Sequence, residues 1–154
     1  MNYSEQMQEN FLIEGKDRLL NTYRYDIKPS LGYSNSYGNI YFARYFEWQG
    51  MLREMWFSEC IFQNMFELKG AFVTKFAHND YEMEVFPFQK ICCLLNTRHI
   101  KRASFELIFR FYNAESKLLV SRGCQKVAFM DTEGKKLIKL PTDILDKVKF
   151  YELT

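Results

Sequence analysis

Two hydrophobic periods run along this chain, and the change from one to the other divides it. Between residues 34 and 57 the period is helical. A Gly-containing polar turn over 34–39 leads, without a proline, into Tyr41, Tyr45, Trp48, Leu52 and Met55, which recur at three- and four-residue steps. Phe42, Ala43, Phe46, Gly50 and Met51 fill much of the remaining circumference, so the pattern predicts a long helix that is apolar nearly all round and therefore buried. Its few polar residues are not scattered. Tyr45, Gln49 and Arg53 are four apart and share one side, while Arg44, Glu47 and Glu54 gather on another. A polar seam on a buried helix indicates a site or an interface.

After Gly70 the period becomes two. Residues 71–78 set Phe72, Thr74 and Phe76 against Val73, Lys75 and Ala77, and Asn79 with Asp80 marks a bend or turn. A strand over 90–100 follows Pro87, a residue suited to a strand start or edge. The clearest strand is 104–112, with Phe105, Leu107, Phe109 and Phe111 on one face and Glu106 and Arg110 on the other. Residues 113–117 form a hairpin turn into a long strand over 118–130, where Gly123 suits a bulge. Ahead of the helix, 21–28 reads as a first strand with Tyr23, Tyr25 and Ile27 on one face, ended by Pro29. Beyond the turn at 131–134, residues 135–140 form a short extension, and Pro141 with Thr142 opens a last helix over 144–148. Residues 1–20 read as an N-terminal extension to which no chemistry attaches, and 21–154 as a single domain. The order of strand, long helix and some four mostly antiparallel strands predicts an α+β fold, a curved antiparallel sheet wrapped around one long central helix.

Length and charge narrow the classes. At 154 residues the chain can bury a core without disulfides or a metal. A net charge of +2, with dispersed Lys and Arg, argues against nucleic acid or an anionic membrane surface as partner. No apolar run approaches the roughly 18 residues of a membrane helix. The four cysteines, Cys60, Cys92, Cys93 and Cys124, show no Cys-x-x-Cys or Cys/His spacing, and the first residues have no apolar signal region. A soluble cytoplasmic protein without a metal is the expectation. The 15 Phe, 10 Tyr and 2 Trp suit a thick core and equally a hydrophobic tunnel.

His78 and His99 have no partner at metal or triad spacing and read as structural. Glu82 and Glu84 read as turn solvation, with a general base as the alternative. Neither a Gly-x-Ser-x-Gly elbow nor a phosphate or dinucleotide loop occurs.

The stretch 35–54 resembles the hot-dog fold thioesterases. More closely, Asn-x-x-Gly-Asn-Ile-Tyr-Phe at 35–42, continuing through Tyr45 into Trp48-Gln49-Gly50 and Arg53-Glu54, is similar to the thioesterases of enediyne polyketide biosynthesis. Ser121-Arg122-Gly123-Cys124-Gln125, followed by Val127 to Asp131, looks like that family's long last strand. The likeness covers about residues 21–142. It implies that Asn35, Tyr45 and Arg53 are catalytic, that the N–H groups of Asn39, Ile40 and Tyr41 complete an oxyanion hole, and that Trp48 and Gln49 bind substrate. Many hot-dog acyl-CoA thioesterases carry Asp where this chain has Asn35. An amide cannot take a proton from water at neutral pH, so the resemblance implies oxyanion stabilisation instead of a carboxylate mechanism at that position. Read alone, Asn35 also suits a turn, Asn39 a helix cap, Tyr45 a core position, and Arg53 with Glu54 a structural pair or dimer contact. Along a helix, Arg53 would lie roughly 20 Å from Asn39.

The implied activity is hydrolysis of a β-keto or polyene polyketide thioester from an acyl carrier protein, without a cofactor. The alternatives are an acyl-CoA thioesterase of the same fold and a non-catalytic acyl-binding module. One small sheet cannot cover a helix on both sides, so a homodimer is expected, and the family suggests dimers paired into a homotetramer.

Overall fold

A computed structural model describes residues 21–64, 67–133 and 135–153. Its centre is a helix, α1 (Arg44–Trp56), which continues into one wider turn, Phe57–Ile61. The strands β1 (Tyr23–Ile27), β2 (Gly70–Tyr81), β3 (Ile91–Arg98), β4 (Ser104–Asn113) and β5 (Leu119–Asp131) form one sheet in the order β1-β3-β4-β5-β2, antiparallel throughout. A last helix, α2 (Thr142–Phe150), closes the described chain.

Alternation along β4 sets the layers. Phe105, Leu107, Phe109 and Phe111 are all buried on the face that meets α1. Tyr45, Trp48, Leu52 and Trp56, at helical spacing, pack against it in one core cluster, with Trp48 and Phe111 ring centroids 6.1 Å apart and Trp56 and Phe105 6.3 Å apart. Ile144 and Val148 of α2 join the same cluster, and Thr97 of β3 anchors that helix by donating its hydroxyl proton to the Val148 carbonyl at 2.8 Å. Cys93 lies in this core and its neighbour Cys92 in a second small cluster, as alternation requires.

Four expectations need correction. The helix begins at Arg44, because residues 41–43 form the turn that leads into it, so Tyr41 is not helical. It is also not covered all round: Phe46 and Met55 are each 37% exposed, and Phe42 in the turn before it is 59% exposed, so the face turned away from the sheet is open in a single chain. β2 runs straight through Asn79 and Asp80, which pair with Gly123 and Arg122 of β5 instead of turning. Finally, Gly123 stays in register with both neighbours, and the irregularities fall between Thr74 and Phe76 in β2 and between Phe111 and Tyr112 in β4. Among the described helices none is long and apolar enough to cross a membrane. The expected N-terminal extension, 1–20, lies outside the described residues.

Candidate active site

Asn35 opens a tight turn. Its Oδ1 accepts the Tyr37 N–H at 2.8 Å, its own N–H donates to the Asn39 carbonyl at 2.8 Å, and Gly38 closes the loop by donating to the Asn35 carbonyl at 3.0 Å. Gly38 sits at φ +89°, a conformation that favours glycine over any residue with a Cβ. The carboxamide oxygen of Asn35 is thus a turn former, and its Nδ2, with two N–H donors, has no partner among the described residues. The turn reading and the functional reading of Asn35 use different atoms of the same side chain.

Asn35 lines a cavity of about 300 Å³ together with Asn39, Tyr45, Tyr81, Glu82 and Glu84, with Ile40, Phe42 and Met83 completing the wall. Tyr45 comes from the first turn of α1. Tyr45 is 3% exposed, and its ring is wedged against Trp48, Tyr81 and Phe111, with centroid distances of 4.7, 4.9 and 6.5 Å. Burial, with smaller contributions from Tyr81 and from the charge of Glu84, pushes the Tyr45 phenol up to about 12. It therefore remains an O–H donor at any physiological pH.

Sequence reasoning put Glu82 and Glu84 in a turn. The structure brings both to the wall beside Asn35 and Tyr45, because β2 extends to Tyr81 and carries them there. Tyr81, whose hydroxyl donates to the Phe42 carbonyl at 2.8 Å, arrives the same way. An uninterrupted period of two past His78 was the available signal, masked by the polar pair Asn79 and Asp80.

The expected backbone oxyanion hole is not built as the sequence suggested. Ile40 N–H donates to the Val85 carbonyl at 2.7 Å and Tyr41 N–H to the Tyr33 carbonyl at 2.9 Å, so neither is free to bind an oxyanion. The first turn of α1 is closed as well, by Arg44, Tyr45 and Phe46 N–H bonds to carbonyls three residues back. Asn39 does not cap α1, whose N-cap position is Ala43; its Nδ2 reaches Glu84 Oε1 at 3.4 Å, and its Oδ1 is buried without a partner.

Farther along α1 the polar seam faces the sheet. Gln49 is 0% exposed: its Nε2 donates to the His78 carbonyl and to Asn79 Oδ1, both at 3.1 Å, and its Oε1 accepts from Gln125 Nε2 at 3.3 Å. Trp48 is buried among aromatic rings. Neither lines the Asn35 cavity. Arg53 also stands apart, donating to Thr74 Oγ1 at 2.7 Å, Gln125 Oε1 at 3.2 Å and the Phe72 carbonyl at 3.3 Å. It borders a second cavity of about 250 Å³ with Trp56, Phe57, Phe72, Phe105 and Leu107. The structure thus unites Asn35 and Tyr45 and separates both from Arg53, as the length of the helix requires.

The histidines are not without partners. His78 Nε2 lies 3.5 Å from Asp80 Oδ2, and His99 Nδ1 is hydrogen-bonded to Glu106, but neither ring lines the Asn35 cavity.

A long helix laid on one face of a five-stranded antiparallel sheet, entered through a polar turn that borders a cavity, is the hot-dog fold. Residues 29–148 match the thioesterase-like superfamily; the chain belongs to that family and is a thioester hydrolase. Among solved structures, it is similar to the dynemicin thioesterase, whose crystal structures reveal induced-fit and allosteric effects upon polyene binding (TM-score 0.80, 24% identity, 86% of this chain and 99% of that one). A 1,4-dihydroxy-2-naphthoyl-CoA thioesterase from Synechocystis superposes with TM-score 0.76 at 18% identity over 83% and 96% of the two chains. A Staphylococcus aureus protein in complex with CoA does so with TM-score 0.78 at 11% identity over 86% and 87%. No curated protein matches the chain.

Proposed function

We propose that the chain releases a β-keto or polyene polyketide acyl group from the phosphopantetheine arm of an acyl carrier protein by hydrolysing its thioester. The observation that carries this reading is the pair of unpartnered donors, Asn35 Nδ2 and the Tyr45 hydroxyl, at one cavity. Water attack on a thioester turns the carbonyl oxygen into an oxyanion. Fixed donors at the cavity stabilise that charge more than they stabilise the neutral carbonyl, which is what lowers the barrier. Asn35 polarises the carbonyl, and Tyr45, kept protonated by burial, completes the oxyanion site. Asn39 contributes its own N–H, which has no acceptor among the described residues. Trp48 and Gln49 support the reacting centre from behind by holding α1 on the sheet. The string at 35–54 and the likeness to the dynemicin thioesterase support a polyketide chain, and the aromatic cavity beside Arg53 suits a flat conjugated tail.

Arg53 would meet the reacting group only in an assembly that brings the two cavities together. A homodimer, paired further into a homotetramer, is proposed on two features: the open aromatic face of α1 and the 12-residue edge strand β2. The cytoplasm is the proposed compartment, in keeping with four free cysteines. A second reading, hydrolysis of an acyl-CoA thioester, is favoured by the likeness to the naphthoyl-CoA thioesterase and to the CoA-bound protein.

The deciding experiment compares thiol release from one β-ketoacyl or polyenoyl group presented on a carrier protein, on pantetheine and on CoA. A kcat/KM that is highest on the carrier protein, and at least about a hundredfold lower in Asn35→Ala, supports the proposal. Preference for CoA transfers the substrate assignment to the second reading, and turnover indifferent to Asn35→Ala and Tyr45→Phe removes the oxyanion roles.

A further inference from the structure

Hydrolysis needs more than an oxyanion site: water must lose a proton as it attacks, and no group placed at the reacting centre so far accepts one. Asn35 offers an amide and Tyr45 a phenol held in its neutral form. The cavity wall carries two carboxylates, and their surroundings differ. Glu82 is paired with Arg122, its Oε1 lying 3.2 Å from Arg122 Nη2. Glu84 has no cation beside it among the described residues; its one polar contact is the weak 3.4 Å bond from Asn39 Nδ2. No wall residue is a Lys, Arg or His.

The position of Glu84 is set by backbone on either side. Glu82 and Met83 N–H groups both donate to the Val120 carbonyl, at 2.9 and 3.1 Å, which pins the segment to β5. On the other side the Val85 carbonyl accepts the Ile40 N–H at 2.7 Å, which pins it to the turn that carries Asn35 and Asn39. Glu84 is held between these two anchors, against the turn that carries Asn35 and Asn39. Among the other residues that line the cavity, Glu82 from its own segment is charged, and Tyr45 from α1 and Tyr81 from the end of β2 are titratable.

We infer that Glu84 is the general base of this site, the group that takes the proton from the attacking water while Asn35 and Tyr45 hold the carbonyl oxygen. This rests on the hydrolase reading of the Asn35 cavity. Water adds to the thioester carbonyl as one of its protons passes to the Glu84 carboxylate, giving a tetrahedral oxyanion. The oxyanion then collapses, the C–S bond breaks, and the proton on Glu84 passes to the departing thiolate. The products are a carboxylic acid, which ionises into solvent, and the pantetheine thiol, and Glu84 is again a carboxylate. The acid missing at position 35 is thus supplied from the segment after β2.

The test measures kcat and KM for an acetoacetyl-pantetheine thioester across the pH range in the native chain, Glu84→Gln and Glu82→Gln, and repeats each with hydroxylamine as acceptor in place of water. Hydroxylamine is nucleophilic enough to need little help from a base, but its attack still builds an oxyanion. Removing a general base costs about 10²–10⁴-fold. Glu84→Gln is therefore expected to lose about a hundredfold or more in kcat with KM nearly unchanged. It should lose the fall in rate on the acid side of the profile and keep hydroxylamine transfer within about tenfold of native. Glu82→Gln, which removes the other wall carboxylate and spares the proposed base, should keep the acid limb that Glu84→Gln loses. Hydrolysis within about threefold of native in Glu84→Gln, or an acid limb that persists in it, overturns the assignment. So does an equal loss of hydrolysis and hydroxylamine transfer, which would mean that Glu84 only positions Asn39. A native chain that releases no thiol from any substrate removes the hydrolase reading of the cavity itself, an outcome distinct from a native chain that is active without Glu84.

Discussion

The carboxamide of Gln49 fills the space in which a Cβ on Gly123 would stand: such an atom falls 2.1 Å from Gln49 Nε2, 2.8 Å from its Cδ and 3.1 Å from Asn79 Oδ1. Gln49 cannot swing away cheaply, because it is fully buried and bonded to β2 and β5 through His78, Asn79 and Gln125. The glycine in the middle of β5 therefore sets how closely α1 approaches the sheet. Tyr45 and Arg53, one turn of helix to either side, take their positions from the same contact.

Gly123→Ala is accordingly expected to destabilise the protein by about 1–3 kcal/mol through overpacking. Gln49→Ala should cost a similar amount by leaving the Gln125 Nε2 donor buried without its acceptor. In the double variant the truncated residue 49 makes room for the new methyl, so the combined loss should be smaller than the sum of the two. Urea denaturation of the four proteins measures this, and strict additivity would mean that the two positions do not share the space.

Tyr45→Phe deletes one oxyanion donor and leaves the aromatic packing with Trp48, Tyr81 and Phe111 in place. Turnover should fall by about a hundredfold with little change in stability. The native phenol also predicts a pH response. Its folded value of about 12 lies above the ordinary 10.0, so the folded state holds the proton more tightly than the unfolded chain. The contribution is fully present below pH 10 and is lost as the pH rises towards 12. Tyrosinate absorbance, followed with denaturation between those limits, should lose one late-ionising tyrosine in Tyr45→Phe relative to the native chain, against the other raised tyrosines, Tyr81 among them.

The phenylalanines of β4 made its alternation legible in sequence, and the three- and four-residue steps from Tyr45 to Trp56 did the same for α1, since both report burial against one partner. What stayed hidden has a common cause. Asn79 in β2, half-buried, and Gln49 in α1, fully buried, are polar residues bonded to each other, and in sequence a polar residue bonded inside an interface cannot be told from one in a turn. The same blindness ended β2 at His78 and left Glu82 and Glu84 outside the site. Apolar counting likewise does not distinguish a surface covered by its own chain from one left open in it, as at Phe42 and Phe46. Motif resemblance grouped Asn35, Tyr45 and Arg53, but only the geometry shows that Ile40 and Tyr41 N–H groups are occupied and that Arg53 opens on a different cavity.

Arg53 is bonded only to neutral acceptors, Thr74, Gln125 and the Phe72 carbonyl, and burial pulls its guanidinium below the ordinary value. Arg53→Ala should lower stability by about 1.5–3 kcal/mol, the range for hydrogen bonds to a charged group. If its work is to hold the start of β2 on α1, loss of turnover should track loss of folded protein and recover at lower temperature. A drop in kcat as large as that of Asn35→Ala, with folding intact by circular dichroism, would instead place its charge at the reacting centre of an assembled oligomer.

Phe46 and Met55, each 37% exposed, together with the long edge of β2, leave apolar surface and unpaired strand backbone that a single chain does not cover. Phe46→Glu places a charge on that face at a residue that itself lines neither cavity. A second copy seated there would have to desolvate the carboxylate, at a cost of several kcal/mol, so the variant should sediment as a monomer where the native chain sediments as a dimer or tetramer. Turnover in the monomer then decides what Arg53 does. Activity retained at the native level means that Asn35, Tyr45 and the cavity of one chain suffice, whereas activity lost together with the dimer, in a variant that is otherwise folded, means that the site is completed across the interface. A native chain that is monomeric at micromolar concentration would refute the dimer and, with it, any meeting of Arg53 with the thioester.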